Sequence, residues 1–178
     1  MRVNIHSHIL RQMNAGITER QQEIINVSLE LIAESGIQSL TIKNLAKKIG
    51  FAESAIYRHY ENKIQILLAI LDFFKHNSEN LFAGQLNSNE VAPKKIEHLF
   101  MNHFKKFSEN PSLVAVIFSE EIFRSELELS DKVKEIMNKN IKDIEAIIEI
   151  GQRQGEIKSD IEASDRKSTR LNSSHGKL

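Results

Sequence analysis

Three consecutive side chains, Tyr57, Arg58 and His59, are the residues of this 178-residue sequence best suited to chemistry. They lie at the end of the stretch 41–63, in which two short apolar-periodic segments meet at Gly50. Side chains of these three types can donate hydrogen bonds to base edges and phosphate oxygens of DNA. Two short helices joined by a glycine-containing turn form a helix-turn-helix unit, whose second helix can enter a major groove. The pattern therefore predicts a DNA-contacting surface.

Two short helices must position these side chains. Thr41 is expected to cap the first one by accepting a hydrogen bond from a first-turn N–H. Four apolar residues then follow at i, i+3, i+4 and i+7, which predicts one buried face: Ile42, Leu45, Ala46 and Ile49. Gly50 ends this helix where a left-handed residue costs least. In the second helix Phe51, Ile56 and Tyr60 are expected to point inward, which leaves its other side chains outside.

The flanking segments predict two further helices. Thr18 and Gln21 form a capping box for the helix before the turn, and Gly36 ends it. Asn62 or Glu61 is expected to cap the helix after it, which runs to about Phe82 and is apolar on most faces. A helix of this kind is buried on most faces, so it should lie between the predicted DNA-binding domain, residues 18–63 (the head), and the remaining chain. We interpret it as the mechanical link between them.

The stretch 41–63 resembles the DNA-binding segment of the TetR (tetracycline-repressor) family of bacterial regulators. The residues that match the family pattern in register are Thr41, Leu45, Ala46, Gly50, Phe51, Ile56, Tyr57, His59, Tyr60, Asn62 and Lys63. The likeness extends upstream through Ile24, Ile25, Leu31, Ile32 and Gly36, and so covers the whole N-terminal region. Family members often have a small residue at Ser54 and a threonine at Ala55, and Glu53 adds an acid. These departures affect base contacts rather than docking.

The resemblance implies an all-α protein with a three-helix DNA-binding domain and a helical ligand-binding and dimerisation bundle. It implies a homodimeric bacterial repressor that a small-molecule ligand releases from a palindromic operator, with two heads in major grooves about 34 Å apart. The residues expected to contact double-stranded DNA are Thr41, Lys43, Ala52, Glu53, Ser54, Ala55, Tyr57, Arg58, His59 and Lys63.

Charge and composition agree with this interpretation. The net charge is zero, but residues 41–63 carry five basic and two acidic side chains, whereas residues 64–165 carry twelve basic and eighteen acidic ones. A local basic patch beside an acidic body suits a protein that touches nucleic acid at one end. The absence of cysteine, of a signal peptide and of a membrane-spanning apolar run leads us to expect a cytoplasmic protein without membrane contact.

The body, residues 64–165, is predicted to be helical, with a polar loop at residues 84–90 and a chain break at Asn110-Pro111. Ser130 and Asp131 are expected to cap its last long helix. An apolar stripe formed by Ile96, Leu99, Phe100, His103, Phe104 and Phe107 is expected to face inward. The candidate ligand contacts are Phe100, His103, Phe104, Phe107 and Phe118. For His103, a core histidine with one hydrogen-bond partner is the more common alternative.

The two ends of the chain have a different character. Residues 1–17 show no apolar period and are interpreted as a flexible or non-native arm; the histidine pair His6 and His8 lacks a third metal ligand. Residues 166–178 resemble a disordered, artefactual tail. Family members continue here into two further helices that pair with a second subunit. We therefore expect the regulatory domain, residues 64–165, to be incomplete and the homodimer to belong to the full-length protein.

Two other functions remain open at this point. The head could serve an architectural or cell-division DNA-binding protein that has no inducer. Alternatively, the chain could be a helical ligand-binding or adaptor protein that has lost DNA affinity, because Glu53 can repel phosphate. An enzyme is not expected, and neither is a cofactor or metal. The sequence has no cysteine nucleophile, HExxH motif, phosphate-binding glycine loop or paired carboxylates beside a histidine.

Overall fold

The computed structural model describes residues 17–119 and 126–159, and within these ranges the chain forms helices and no strand. The all-α expectation is therefore confirmed. The helices are α1 (Glu19–Ser35), α2 (Ile42–Ile49), α3 (Glu53–Tyr57), α4 (Lys63–Leu86), α5 (Ala92–Glu109), α6 (Pro111–Ile117) and α7 (Leu127–Arg153). No helix in the described ranges is long and apolar enough to cross a membrane. The predictions for residues 1–16 and 166–178 lie outside the described residues.

The helix ends near the N-terminus follow from local hydrogen bonding. Thr18 and Gln21 form the expected capping box, in which the Thr18 hydroxyl accepts from the Gln21 N–H at 3.2 Å. Thr41 caps α2 by accepting from the Asn44 N–H at 3.1 Å. Gly50 ends α2 in the left-handed conformation, with φ +85° and ψ +31°, where a side chain would strain the backbone. These predictions are confirmed.

The chain divides into two compact units. The first comprises residues up to His76 together with Lys106–Lys134, and therefore contains the three N-terminal helices and α6. Within this unit α1 contacts α2 and α6, and α2 contacts α3. These units are structural rather than functional, so the sequence-based domain boundaries at residues 18–63 and 64–165 stay predictions.

Helix α6 supplies a contact that the sequence did not reveal. Its side chains Leu113, Val116 and Ile117 are buried, and the helix packs against α1 in the first unit. The sequence analysis interpreted helix α4 as the mechanical link to the N-terminal helices, and α6 is a further element that packs against them. An apolar face must be buried, but its spacing does not name the partner.

The second unit comprises Asn77–Lys105 and the chain from Glu135 onward. One core cluster of this unit consists of Phe82, Ala92, Leu99 and Ile147, with partly buried apolar side chains packed around them. The turn that follows α7 also belongs to this unit. There the N–H groups of Glu156 and Ile157 donate to the Gly151 carbonyl at 2.8 and 3.2 Å. This turn brings the Glu156 carboxylate to the start of α5.

Several expectations for the body are wrong. Helix α4 continues through Gly84 to Leu86, although a loop was predicted from residue 84. Helix α7 begins at Leu127, so Ser130 and Asp131 lie inside it rather than capping it. Phe100 and Phe104 were expected to face inward but are 56% and 71% exposed. A helical stripe shows which residues share a face, whereas packing decides how wide the buried part of that face is.

Replacing Glu156 by alanine is expected to lower the free energy of unfolding by about 1–2 kcal/mol. Its Oε2 atom accepts from the backbone N–H of Ala92 at 2.7 Å, and Ala92 is only 2% exposed. That N–H is in the first turn of α5 and has no partner within the helix. Urea unfolding of the variant measures the cost. Glu149→Ala, at an exposed position of α7, is the control, and equal stability of the two variants would contradict the prediction.

Candidate nucleic-acid interface

Helix α3 presents its polar and aromatic side chains to solvent. Tyr57 is 50% exposed, and Arg58, Glu53 and Ser54 are also exposed. Ala55 and His59 are partly buried. The outward direction of the tyrosine and arginine leaves both free to meet a duplex, which is the geometry that base and phosphate contacts require.

Two buried side chains hold this helix in place. Ile56 is 0% exposed, and Tyr60, which follows the helix, is 6% exposed. The N–H groups of His59 and Tyr60 both donate to the Ile56 carbonyl, at 2.9 and 3.0 Å. Because Ile56 and Tyr60 face inward, the intervening Tyr57 and Arg58 face outward. The inward positions predicted for Ile56 and Tyr60 are confirmed.

Burial of Tyr60 should be visible in an alkaline titration. Burial raises the pKa of its phenol from 10.0 to about 12. The chain has two tyrosines and no tryptophan, so Tyr57→Phe leaves Tyr60 as the only phenol that near-ultraviolet absorbance detects. We expect the Tyr60 phenol to ionise near pH 12 in the folded chain. If the chain unfolds at lower pH, ionisation should coincide with loss of the helical circular dichroism signal. Ionisation near pH 10 in a chain that remains helical would contradict this prediction.

The raised pKa of Tyr60 also makes the free energy of unfolding depend on pH. Below about pH 10 the Tyr60 phenol is neutral in both the folded and the unfolded chain, so its contribution is fully present. Between about pH 10 and 12 only the unfolded chain ionises, and the free energy of unfolding should fall as pH rises. Adding Tyr60→Phe to the Tyr57→Phe variant should remove this component from a series of urea titrations.

The remaining candidate DNA contacts lie at helix starts. Thr41 and Lys43 are exposed at the beginning of α2, and Ala52 is exposed just before α3. The Thr41 oxygen accepts the capping hydrogen bond, so its hydroxyl proton remains available for a phosphate oxygen. Lys63 is the exposed first residue of α4. The cap of that helix is Asn62, whose Oδ1 accepts from the Gln65 N–H at 3.0 Å.

Helix α2 carries further lysines on its outer side. Lys47 is exposed, whereas Lys48 donates to the Glu34 carboxylate of α1 at 2.6 Å. These two lysines and Glu34 line an open groove beside Leu31 and Asn44. The Glu34 carboxylate offsets one of the two positive charges in this groove.

One contact at this surface was missed by the sequence reasoning. The guanidinium carbon of Arg20 lies 4.4 Å from the centroid of the Phe51 ring, and the same guanidinium bonds to Glu23. Arg20 and Phe51 are far apart in sequence, so no local spacing indicates their contact. Position 20, in the first turn of α1, was assigned no role.

The candidate ligand contacts of the body are divided between the two units. In the first unit the Phe107 ring stacks on Phe74 with centroids 5.7 Å apart and meets Phe118 edge-on at 6.4 Å. Phe118 itself is 64% exposed. Phe100, His103 and Phe104 belong to the second unit. Ligand contact by any of these residues stays a prediction.

His103 has hydrogen-bond partners within the second unit. Its Nδ1 lies 2.9 Å from the Leu99 carbonyl, to which it donates, because a carbonyl can only accept. Its Nε2 lies 3.4 Å from the Ser78 hydroxyl, which donates to Asn140 at 2.9 Å. The ring also packs against Phe82, with centroids 5.8 Å apart. These partners agree with the core-histidine alternative.

Comparison with known proteins places these features in a family. A family model described as bacterial regulatory proteins, tetR family, matches residues 24–70. A second model, described as the C-terminal region of YsiA-like protein, matches residues 77–170. Together they cover the head and most of the body.

Individual relatives include two kinds of protein. The fatty acid metabolism regulator protein of Bacillus subtilis (strain 168) is 26% identical over 143 residues, which cover 80% of this chain and 73% of that protein. The nucleoid occlusion factor SlmA of Haemophilus influenzae (strain PittGG) is 20% identical over 124 residues, covering 69% of this chain and 57% of that protein. The chain thus spans about three quarters of the first relative and under three fifths of the second.

Solved structures of TetR-family regulators are also similar to this chain. FadR from Bacillus subtilis in complex with stearoyl-CoA has a TM-score of 0.63 and 26% identity, over 79% of this chain and 75% of that one. The fatty acid degradation regulator FadR from Bacillus halodurans has a TM-score of 0.70 over 84% of this chain and 76% of that one; at 21% identity this likeness shows the fold alone. With both family models matched and the helix-turn-helix in place, the chain belongs to the TetR family of bacterial transcriptional regulators.

Proposed function

We propose that this chain is part of a transcriptional repressor that, as the full-length protein, binds a palindromic operator as a homodimer and is released by a small-molecule ligand. The observation that carries the proposal is the outward placement of Tyr57, at the end of α3, and of Arg58, directly after it, beside the buried Ile56 in a TetR-family chain. In this geometry the helix can enter a major groove while its core contacts remain intact. The predicted DNA-contacting set from Thr41 to Lys63 is part of this proposal.

The ligand class that we propose is a long-chain acyl-coenzyme A. The supporting observations are the relative that is a fatty acid metabolism regulator and the similar FadR structure that holds stearoyl-CoA. In the first unit the linked rings of Phe74, Phe107 and Phe118 offer apolar surface of the kind that an acyl chain prefers. Phe100, His103 and Phe104 remain candidates in the second unit.

Release requires that the ligand bind one arrangement of the heads better than the other. Helix α4 begins beside the head at Lys63, and α6 contacts α1 of the head within the first unit. A ligand that displaces either helix can shift the head away from the spacing that two major grooves require. A coupling free energy of about 1–3 kcal/mol, typical for such linkage, corresponds to a roughly 5- to 150-fold change in DNA affinity.

Fluorescence polarisation tests both parts of the proposal. The probe is a duplex from the region upstream of the protein's own gene, with a random duplex of equal length as competitor, at about 0.1 M salt. We expect preference for the upstream duplex and weaker binding after addition of stearoyl-CoA. Free coenzyme A and stearate serve as controls for the two halves of the ligand. A full-length protein without any sequence preference would contradict the repressor proposal.

A second candidate function is a DNA-binding cell-division regulator that has no inducer. The likeness to a nucleoid occlusion factor supports it, at 20% identity over 69% of this chain. This candidate predicts specific DNA binding that stearoyl-CoA leaves unchanged. If instead the chain has lost DNA binding, Tyr57→Ala and Lys63→Ala will both leave the polarisation of every duplex unchanged.

A further inference from the structure

Arg20 holds a cation beside the start of α3. Its side chain is in the first turn of α1, and its guanidinium carbon lies 4.4 Å from the centroid of the Phe51 ring. Phe51 directly precedes Ala52, the residue that flanks α3 at its N-terminal end. The stacking contact therefore fixes the guanidinium close to that end of the helix.

The proposed DNA contacts Ala52, Glu53 and Ser54 lie at this N-terminal end of α3, whereas Tyr57 and Arg58 lie at its other end. In a helix-turn-helix the N-terminal residues of the second helix contact base edges, and the phosphates of the groove wall lie to either side. A guanidinium there can donate two parallel hydrogen bonds to one phosphate, which a lysine cannot do. Arg20 thus has both the position and the shape for a phosphate contact.

Arg20 is paired with the Glu23 carboxylate, an anion that a phosphate group can replace. Arg20 donates from Nη1 to the Glu23 carboxylate three residues along α1. The two side chains are 48% and 45% exposed. Ion pairs this exposed contribute little to stability, because water and salt screen them. The Phe51 ring can keep the guanidinium oriented while its anionic partner changes.

We propose that Arg20 binds a backbone phosphate of the operator, exchanging the Glu23 carboxylate for phosphate oxygens while it stays stacked on Phe51. The proposal rests on the function proposed above and adds a positioning contact outside the helix-turn-helix. Such a contact fixes the register of the protein on the duplex without reading bases.

The salt dependence of binding tests this assignment, because the slope of log K against log salt changes by about 0.9 for each phosphate contact in duplex DNA. Dissociation constants are measured between about 0.05 and 0.2 M salt on the operator and on a random duplex. We expect Arg20→Ala to reduce the slope by about 0.9 and to weaken binding roughly five- to tenfold near 0.1 M salt. Arg20→Lys should retain the slope, and Glu23→Gln should tighten binding about two- to fivefold, because phosphate loses its competitor.

A matched ion pair in the second unit provides the control. Lys94, in the first turn of α5, and Glu97 form the same i, i+3 ion pair, with side chains 59% and 55% exposed. Lys94→Ala should leave the slope unchanged on both duplexes.

The outcomes separate the two proposals. If Arg20 only stabilises Phe51, Arg20→Ala will lower the melting temperature and leave the slope unchanged, which overturns the phosphate assignment alone. If the wild-type protein shows no operator preference but Arg20→Ala still reduces the slope on random DNA, the repressor proposal fails and the phosphate contact stands. A wild-type protein that binds neither duplex overturns both.

Discussion

The double variant Tyr57→Ala/Arg58→Ala is expected to bind the operator about 100-fold more weakly or worse, at unchanged protein stability. Each good contact between a side chain and a base edge contributes about 1–3 kcal/mol of discrimination, so two such losses bring affinity towards the non-specific level. Both side chains are exposed at the C-terminal end of α3, and Ile56, which anchors the helix, is untouched. Polarisation titrations on operator and random duplexes measure the effect, and the ratio of the two affinities should collapse.

The control must remove similar side chains from elsewhere on the surface. Phe104→Ala/Lys94→Ala deletes an exposed aromatic ring and an exposed cation from α5 of the second unit. This pair should leave ligand-free operator binding within about twofold, because neither residue is near the head in sequence and both belong to the other unit. Equal losses of operator affinity in the two double variants would show that Tyr57 and Arg58 do not act by contacting the DNA.

Replacing Gly151 by alanine is expected to lower the free energy of unfolding by about 1–3 kcal/mol, as overpacking of a filled core typically does. Gly151 is buried on α7, and a Cβ atom there would lie 2.5 Å from the Cβ of Ala92 and 3.1 Å from Cδ1 of Ile157. Ala92 has no rotamer that relieves the contact, so the backbone of α5 or α7 must move. The same movement would disturb the Glu156 hydrogen bond to Ala92. Urea unfolding followed by circular dichroism measures the loss.

A second glycine provides the matched control. Gly84 lies inside α4, is exposed, and would place a Cβ in open space, with no atom within 4 Å. Alanine is favoured over glycine within a helix by about 0.5–1 kcal/mol, so Gly84→Ala should stabilise the chain. If the free energy of unfolding falls in Gly151→Ala and rises in Gly84→Ala, overpacking at Gly151 is the cause of the loss. Destabilisation of both variants to the same extent would contradict the close approach of α5 and α7.

Much of the head could be predicted from the sequence because its determinants are local. Thr18 with Gln21, Thr41 and Gly50 set helix ends through hydrogen bonds and backbone conformations that involve residues at most four positions apart. The apolar spacing of α2 and α3 identified the buried face correctly, including Ile56. The outward direction of Tyr57 and Arg58 follows from that face.

The body was predicted less accurately because its packing partners are distant in sequence. Phe100 and Phe104 share a helical stripe with the buried Leu99, yet both are mostly exposed. Periodicity gives the direction of a side chain but not the presence of a neighbour to cover it. The helical propensity of residues around Gly84 also outweighed the glycine, so α4 extended where a loop was predicted.

The sequence by itself determined the helix-turn-helix and the side chains on its outer face, because caps, turns and helical periodicity act over a few residues. Only the tertiary structure decided that Arg20 stacks on Phe51, that Glu156 caps α5 and that α6 packs on α1. Each of these contacts joins residues that are many positions apart. Such pairs meet only after the whole chain has packed, and no local pattern records them.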